Sequence, residues 1–181
     1  MRKVYEYSHI GGSQILKVDY PAINLEIDQV IKEIKDVKKN KVSKEKTMKG
    51  EMLYSPKEIN ELFMEGFHQR GFRELKDIYT IKLPRYKYEI KYAFKQIDFV
   101  KDRVLVEVQF GKYAFMFYDM AKFQYFFNEN KADVGIEIVP CHAMHEQMST
   151  GVSYVEQLIY DIERLKRHFP AVPVKVILVD V

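Results

Sequence analysis

The sequence predicts an α/β fold, in which a mixed central β-sheet carries a hairpin at residues 96–112 and is flanked by helices. Two runs that alternate apolar and polar side chains lie on either side of the polar break at 101–103, which is typical of a β-hairpin. Two further runs, 133–139 and 174–179, have the composition of buried strands. Segments with helical apolar spacing separate these strands.

The chain has 181 residues, of which 47% are hydrophobic, so we expect one domain over residues 1–181 with a sizeable core. The formal net charge of +3 is small, but DNA binding requires local positive surface and not a large total charge. The single Cys141 excludes an internal disulfide and suits a reducing cytoplasm. We see no signal peptide and no apolar run of membrane-spanning length.

The first predicted elements are two short strands at 3–8 and 14–19, joined about Gly11 and Gly12 as a hairpin. Pro21 is expected to open a helix. Its apolar stripe contains Leu25, Val30, Ile34 and Val37, widened by Ile23, Ile27 and Ile31.

The stretch 38–50 contains six lysines and one glutamate. In an arbitrary protein such a stretch is most often a solvated loop. Ser55 and Glu58 then form a capping box with a proline between them, which predicts the start of a helix that Gly71 ends.

Residues 113–128 are apolar nearly all round a helix, which indicates a central helix behind the sheet, with one edge available for a dimer contact. A platform for stacking bases is a weaker alternative.

Ser153 is a candidate N-cap for a last helix, with Glu156 completing a capping box. Zinc binding by Cys141 and two nearby histidines is disfavoured, because no fourth ligand pair stands at zinc-finger spacing.

The hairpin carries the candidate catalytic residues. Strand alternation places Glu107 and Gln109 on one face, and we expect Asp98 of the preceding strand to converge on them. Two carboxylates at such a short distance repel one another unless a cation lies between them, and oxygen ligands suit Mg²⁺. Such a cation serves phosphodiester cleavage. The ordinary alternative is a pair of acids on the solvent face of a hairpin.

The segment DFVKDRVLVEVQFGKYAF resembles the active-site segment of type II restriction endonucleases of the BglII/BstYI group, which are relatives of BamHI. In that group the PD-(D/E)xK motif ends in Gln. Further blocks similar to BstYI follow in the same order, and the similarity is weakest at 77–95. These blocks are VYEYSHIGG, SKEKT at 43–47, GEMLYSP at 50–56, DVGIEIVP at 133–140 and MSTGVSY at 148–154.

The resemblance implies a restriction-endonuclease-like core and an enzyme that cleaves double-stranded DNA with Mg²⁺. Asp98, Glu107 and the backbone carbonyl of Val108 are the implied metal ligands, and Gln109 is implied to orient water, since an amide is a very poor base. Glu74 is either a third acidic group or an ordinary surface glutamate. A homodimer would cut a palindrome centred on GATC (RGATCY or AGATCT), leaving 5′-phosphate ends with four-base 5′ overhangs. The system would include a DNA methyltransferase that is not a physical partner.

The resemblance also suggests residues that contact DNA. Lys112 is a candidate for the O6 and N7 acceptors of guanine, or else for a phosphate. Ser149 and Thr150 lie in a loop implied to enter the major groove, and otherwise serve an ordinary turn. Lys44 and Lys46 are candidates for phosphate contacts. Two other functions remain open: a structure-specific or repair nuclease of the same fold, and a DNA-binding module without catalysis.

Overall fold

The computed structural model describes all residues 1–181 and confirms the α/β prediction, with a mixed six-stranded sheet flanked by helices. The strands are β1 (Arg2–His9), β2 (Lys41–Val42), β3 (Met52–Leu53), β4 (Arg73–Lys82), β5 (Glu89–Lys101), β6 (Val104–Val108), β7 (Val134–Pro140) and β8 (Val174–Asp180). The helices are α1 (Gly12–Val18), α2 (Pro21–Glu33), α3 (Pro56–Gln69), α4 (Tyr113–Asn128), α5 (His142–His145) and α6 (Val155–Leu165).

The main sheet has the strand order β1-β8-β7-β6-β5-β4, and β2 and β3 form a separate two-stranded ribbon. The central strands β6, β7 and β8 are parallel, whereas β1 pairs antiparallel with β8, β5 with β6, and β4 with β5. Every residue of β6 and β7 is buried, as expected for parallel strands that are covered on both faces. The site described below is built on the β6 edge of this buried centre.

Helices cover both faces of the sheet. On one face α4 approaches β7 so closely that a Cβ at Gly135 would lie 2.5 Å from the ring of Phe123. On the other face α3 packs through Phe67, whose ring centroid is 4.8 Å from that of Phe99 in β5. None of the helices is long and apolar enough to cross a lipid bilayer.

The predicted strand at 14–19 is wrong, because this segment is helix α1. Gly11 adopts a left-handed conformation (φ 74°) at the helix start, and a Cβ at Gly12 would lie 2.4 Å from the backbone of Val174. The two glycines therefore permit a close helix-to-strand approach instead of a hairpin turn. The partner of β1 is β8, 165 or more residues away in the chain.

Helix α2 begins at Pro21 as predicted, but its buried stripe differs from the one expected. Leu25 is 58% exposed, and Ile34 and Val37 are buried only after the helix has ended. The residues of the helix that are buried are Ile23, Ile27, Val30 and Ile31. The buried stripe of the helix therefore consists of the three isoleucines that were expected to widen it, together with Val30 of the predicted stripe.

The sequence assigned no element to residues 77–95, yet they form most of a long antiparallel hairpin between β4 and β5. The segment contains isoleucine, tyrosine and phenylalanine residues typical of strands. Its outer part makes no core: all residues from Lys82 to Tyr92 are exposed.

Candidate active site

The hairpin predicted at 96–112 is confirmed as β5 and β6, joined by a two-residue turn in which Asp102 has φ 52°. The ladder runs from the pair Lys101–Val104 to the pair Phe99–Val106 and stops there. On the other side of β5 the register with β4 shifts, since Arg73 pairs with Val100 but Leu75 with Ile97. An irregularity of this kind next to the end of a ladder re-aims side chains, here at Asp98.

Glu107 is buried beneath α4. Its Oε1 accepts a hydrogen bond from Lys122 Nζ at 2.5 Å, and the same ammonium group lies 2.7 Å from Asp119 Oδ1. Burial raises the pKa of Glu107 well above its usual value, and the charge of Asp119 raises it further, while Lys122 opposes both effects. Burial disfavours the charge on Lys122, but the two carboxylates hold its pKa above the usual range.

A third buried carboxylate adjoins this group. Glu137 is the register partner of Glu107 in the parallel β6–β7 ladder, and neither of its carboxylate oxygens has a hydrogen-bond partner. Burial raises the pKa of Glu137 well above its usual value, and the charges of Asp119 and Glu107 add to the shift. The protonated side chain would be able to donate to Asp119. The ammonium group of Lys122 is therefore the one positive charge beside three acidic side chains.

Asp98 opens onto solvent, unlike the acids beneath α4. It lines a cavity of about 580 Å³ between the sheet and α3, and Glu74 and Val108 line the same cavity. Glu74 accepts a hydrogen bond from Gln96 Nε2 at 2.7 Å. The charge of Asp98 contributes to the raised pKa of both Glu107 and Asp119, so the open and the buried acids interact.

Gln109 follows the end of β6, and its backbone N–H donates to the carbonyl of Ile138 at 2.9 Å. Its side-chain Nε2 donates to Asp119 Oδ2 at 3.1 Å. A Cβ at position 111 would lie 2.4 Å from Gln109 Oε1, so Gly111 leaves space for the amide. The amide is thus fixed at one end and close to the chain that leads to Lys112.

The candidate DNA-contacting segments meet on one surface. Lys41 Nζ donates to Ser149 Oγ, and the backbone N–H of Thr150 donates to Glu45 Oε2 at 3.1 Å. The carbonyl of Gly111 accepts a hydrogen bond from the N–H of Ser153 at 2.8 Å. The lysine-rich stretch, the loop at 148–153 and the start of α4 therefore form a continuous structure, which we call the loop surface.

Three lysines of this surface, Lys44, Lys46 and Lys112, are exposed and form no salt bridge within the chain. Their charges are available to a ligand.

The predicted capping role of Ser153 is wrong in its partner: α6 has Tyr154 at its N-cap, and Ser153 Oγ accepts from the N–H of Tyr113 at the start of α4.

The side chains of the site offer mainly carboxylate oxygens, which are the ligands that hard cations prefer. These carboxylates outnumber the one ammonium group beside them. No group of three or more His, Cys, Asp and Glu side chains is arranged to hold a metal ion. A cation at Asp98 and Glu107 would thus need the Val108 carbonyl and water as further ligands. Cys141 is buried as a free thiol.

Sequence reasoning missed Asp119, Lys122 and Glu137. Glu137 was hidden in an apolar strand, and the other two were hidden in a helix that is otherwise strongly apolar. A buried acid at a strictly apolar position was the available indication, because charged residues are seldom fully buried without a partner.

The chain is similar to known restriction endonucleases. The family model described as restriction endonuclease BglII/BglIII matches residues 4–179. The crystal structure of BglII complexed with a DNA 16-mer has a TM-score of 0.77 and 21% identity, covering 100% of this chain and 79% of that one. The crystal structure of free BglII has a TM-score of 0.70 and 19% identity, covering 100% and 80%. No curated protein matches the chain.

Proposed function

Because this chain belongs to the BglII/BglIII family of restriction endonucleases, we propose that it hydrolyses double-stranded DNA at a palindrome centred on GATC, with Mg²⁺ as cofactor. The products would carry 5′ phosphates on four-base 5′ overhangs. The GATC centre and the overhang rest on the resemblance of the sequence to the BglII/BstYI group, and a related structure of this fold is described in complex with DNA.

One observation supports the position of the chemistry. Asp98 opens into a cavity together with Val108, while Glu107 lies next to Val108 beneath α4 and is influenced by the charge of Asp98. A phosphate could enter the open cavity from solvent, whereas the buried side of the site is closed to water. The arrangement therefore has one exposed and one protected carboxylate at the same strand end.

Each residue of the site has a distinct role in the proposal. Asp98, Glu107 and the Val108 carbonyl would hold the cation, which when bound would activate water and neutralise charge on the phosphate. Gln109 would orient the attacking water, and it cannot accept a proton as a lysine amine could. Glu74, on the same cavity, would assist by accepting a hydrogen bond from water.

The loop surface supports the proposed binding of DNA. Lys112 would donate to guanine, and Ser149 and Thr150 would contact base edges in the major groove. Lys44 and Lys46 would contact phosphates and supply affinity without sequence preference. The hydrogen bonds among these segments support simultaneous contact of all five residues with one duplex.

We also propose that residues 1–181 act as one domain within a homodimer, since a palindrome offers two equivalent half-sites. The pairing of β1 with β8 joins both ends of the chain in one sheet, which favours one folding unit. A methyltransferase that modifies the same site would protect the host DNA without binding this protein.

A plasmid of known sequence tests the proposed function. We expect digestion in Mg²⁺ to give discrete fragments, whose sequenced ends all lie in GATC-centred sites with four-base 5′ extensions. Cleavage at branches or lesions without a sequence preference would favour a repair or junction nuclease instead. Specific binding without cleavage would indicate a DNA-binding module. Mg²⁺ replaced by Ca²⁺ should keep binding but stop cleavage, because Ca²⁺ takes a looser coordination.

A further inference from the structure

The β4–β5 hairpin between Lys76 and Lys95 projects from the body of the protein, and we call it the arm. All eleven residues of its outer part, Lys82 to Tyr92, are exposed. Near the base of the arm, the ring centroid of Tyr79 lies 6.1 Å from that of Tyr125 in α4. An isolated two-stranded hairpin is only marginally stable in water, and the outer part of the arm is covered by no other element.

The arm concentrates positive charge. It contains six basic and two acidic residues, a net charge of +4, whereas the whole chain has a formal net charge of +3. The rest of the chain is therefore slightly acidic in sum. The basic residues of the arm are Lys76, Lys82, Arg85, Lys87, Lys91 and Lys95. Of these only Lys82 forms a salt bridge, with Glu89.

The two faces of the arm differ. One face packs on α4, where Asp77 accepts a hydrogen bond from Tyr125 at 2.7 Å and a salt bridge from Lys131 at 2.8 Å. Alternate residues of β4 face the other way, beginning with Glu74, which lines the cavity with Asp98. The open face therefore starts at the candidate active site and runs outward along the arm.

The open face carries apolar as well as basic groups. Ile78 is 59% exposed, and its register partner Phe94 is 52% exposed with Lys76 Nζ 4.1 Å from its ring centroid. Further out, Tyr92 is 81% exposed and has φ 60° at a register shift between the strands. A non-glycine residue with positive φ is uncommon and marks a strained position of the backbone.

We infer that the arm binds the DNA duplex beside the cleavage site, through its backbone phosphates and without sequence preference; this rests on the proposed function. A duplex carries one negative charge per about 1.7 Å of axis, so it matches a basic strip that leads away from the cleavage site. Beyond Tyr79 the strands extend for about 10 Å at about 3.3 Å per residue, enough to reach several base pairs of flanking DNA. A second arm is a poor partner, since two arms of net charge +4 repel one another.

The test compares the triple variant Arg85→Ser, Lys87→Ser, Lys91→Ser with a matched control, Lys17→Ser, Lys32→Ser, Arg167→Ser. The control removes three exposed cations from α1, α2 and the segment that follows α6. Dissociation constants are measured in Ca²⁺ over a range of NaCl. The two probes are a duplex holding the target with about 10 flanking base pairs on each side, and the same target with about 2.

We expect the arm variant to bind the long duplex at least about tenfold more weakly and to lose about two to three units of salt slope, while the control behaves as wild type. On the short duplex the arm variant and wild type should differ little. Equal binding of the long duplex by wild type and the arm variant would overturn the inference. So would loss of dimers in light scattering with an unchanged salt slope, which would make the arm a contact between copies.

These outcomes separate the two proposals. If wild type cleaves GATC sites and the arm variant binds normally, only the arm inference fails. If wild type cleaves no such site, the proposed function fails, and the salt slope on a random long duplex still measures the arm. Thermal melting should not change in either triple variant, because every replaced side chain is exposed.

Discussion

Glu107 and Glu137 are neighbours across β6 and β7, and Asp119 of α4 interacts with both. Only Lys122 supplies positive charge within this group. Removing one partner of a buried ion pair typically costs about 3–5 kcal/mol, because the remaining charge is left uncompensated. The group therefore holds Glu107 in place through Lys122.

The first prediction concerns the two proposed metal ligands. Asp98→Asn and Glu107→Gln should each lower the cleavage rate by about a thousandfold, the upper range for loss of one charge-stabilising group in an active site. Single-turnover cleavage and thermal melting measure the effect and check the fold. The control is Asp102→Asn in the turn of the same hairpin, which should cleave normally. Near-normal cleavage by either variant would remove that residue from the site.

The second prediction concerns Glu137 and pH. The raised pKa means that folded Glu137 keeps its proton where the unfolded carboxyl, with a pKa near 4.5, has lost it. Folding then takes up a proton, so this group's contribution to stability falls as pH rises above about 4.5, by at most about 1.4 kcal/mol per pH unit. Glu137→Gln removes this loss, because the amide can donate to Asp119 at any pH.

The free energy of unfolding in urea should therefore favour Glu137→Gln over wild type increasingly from pH 4.5 to pH 8. The exposed Glu129→Gln serves as control and should follow wild type at every pH. If the difference between Glu137→Gln and wild type is constant with pH, the carboxyl is ionised in the folded protein.

At the residue scale, the sequence could predict only those residues that are close in the chain. Asp98, Glu107 and Gln109 lie on one hairpin, so strand alternation and spacing identified them as candidates. Lys122 lies on α4 and Glu137 lies on β7, and both are distant from Glu107 in the chain. Their positions beside Glu107 depend on how α4 and β7 pack against β6. Even at Asp98, alternation alone could not show the register shift beside it.

At the element scale, prediction succeeded where local chemistry determines the structure. Ser55 caps α3 by accepting the N–H of Glu58, as its sequence indicated. Prediction failed at Gly11 and Gly12, because two glycines suit a turn and a close helix contact equally. Only the pairing of β1 with β8 decides between these two structures. The arm was missed because its strands lack a turn of the Asn-Gly type, although their residues favour strands.

The third prediction belongs to the junction between the loop surface and α4. Ser153→Ala removes the acceptor of the Tyr113 N–H, one of the unpaired donors at the start of α4. We expect a loss of about 1 kcal/mol in the free energy of unfolding, typical of a lost N-cap. Binding of cognate DNA should weaken more than binding of random DNA, since Lys112 adjoins this junction. Ser153→Thr keeps the hydroxyl and should behave as wild type.

At the scale of the whole molecule, positive charge is divided between the loop surface and the arm. The fourth prediction separates base contacts from phosphate contacts on the loop surface. Lys112→Ala should weaken cognate binding by about 1–3 kcal/mol and random binding much less. Lys44→Ala and Lys46→Ala should weaken both equally, each lowering the salt slope by about one unit. Titrations over a salt range decide, and an equal effect of Lys112→Ala on both duplexes would refute its role.

The last prediction is that two copies of the protein act together on DNA. A palindrome has two scissile phosphates related by a twofold axis, and each chain supplies one Asp98–Glu107 site. Light scattering with a GATC-containing duplex should therefore show a homodimer. Mapping both strands at nucleotide resolution should place the two cuts symmetrically, four bases apart.

Mixing wild type with Asp98→Asn sharpens this test. If one site serves one strand, mixed dimers should nick a single strand, and nicked plasmid should accumulate at equal mixing while either pure protein gives little. The nick appears because the intact subunit retains its own carboxylates, so its strand is cut at the normal position. A protein that stays monomeric on DNA and nicks on its own would contradict the palindromic mechanism and favour a repair or junction nuclease of the same fold.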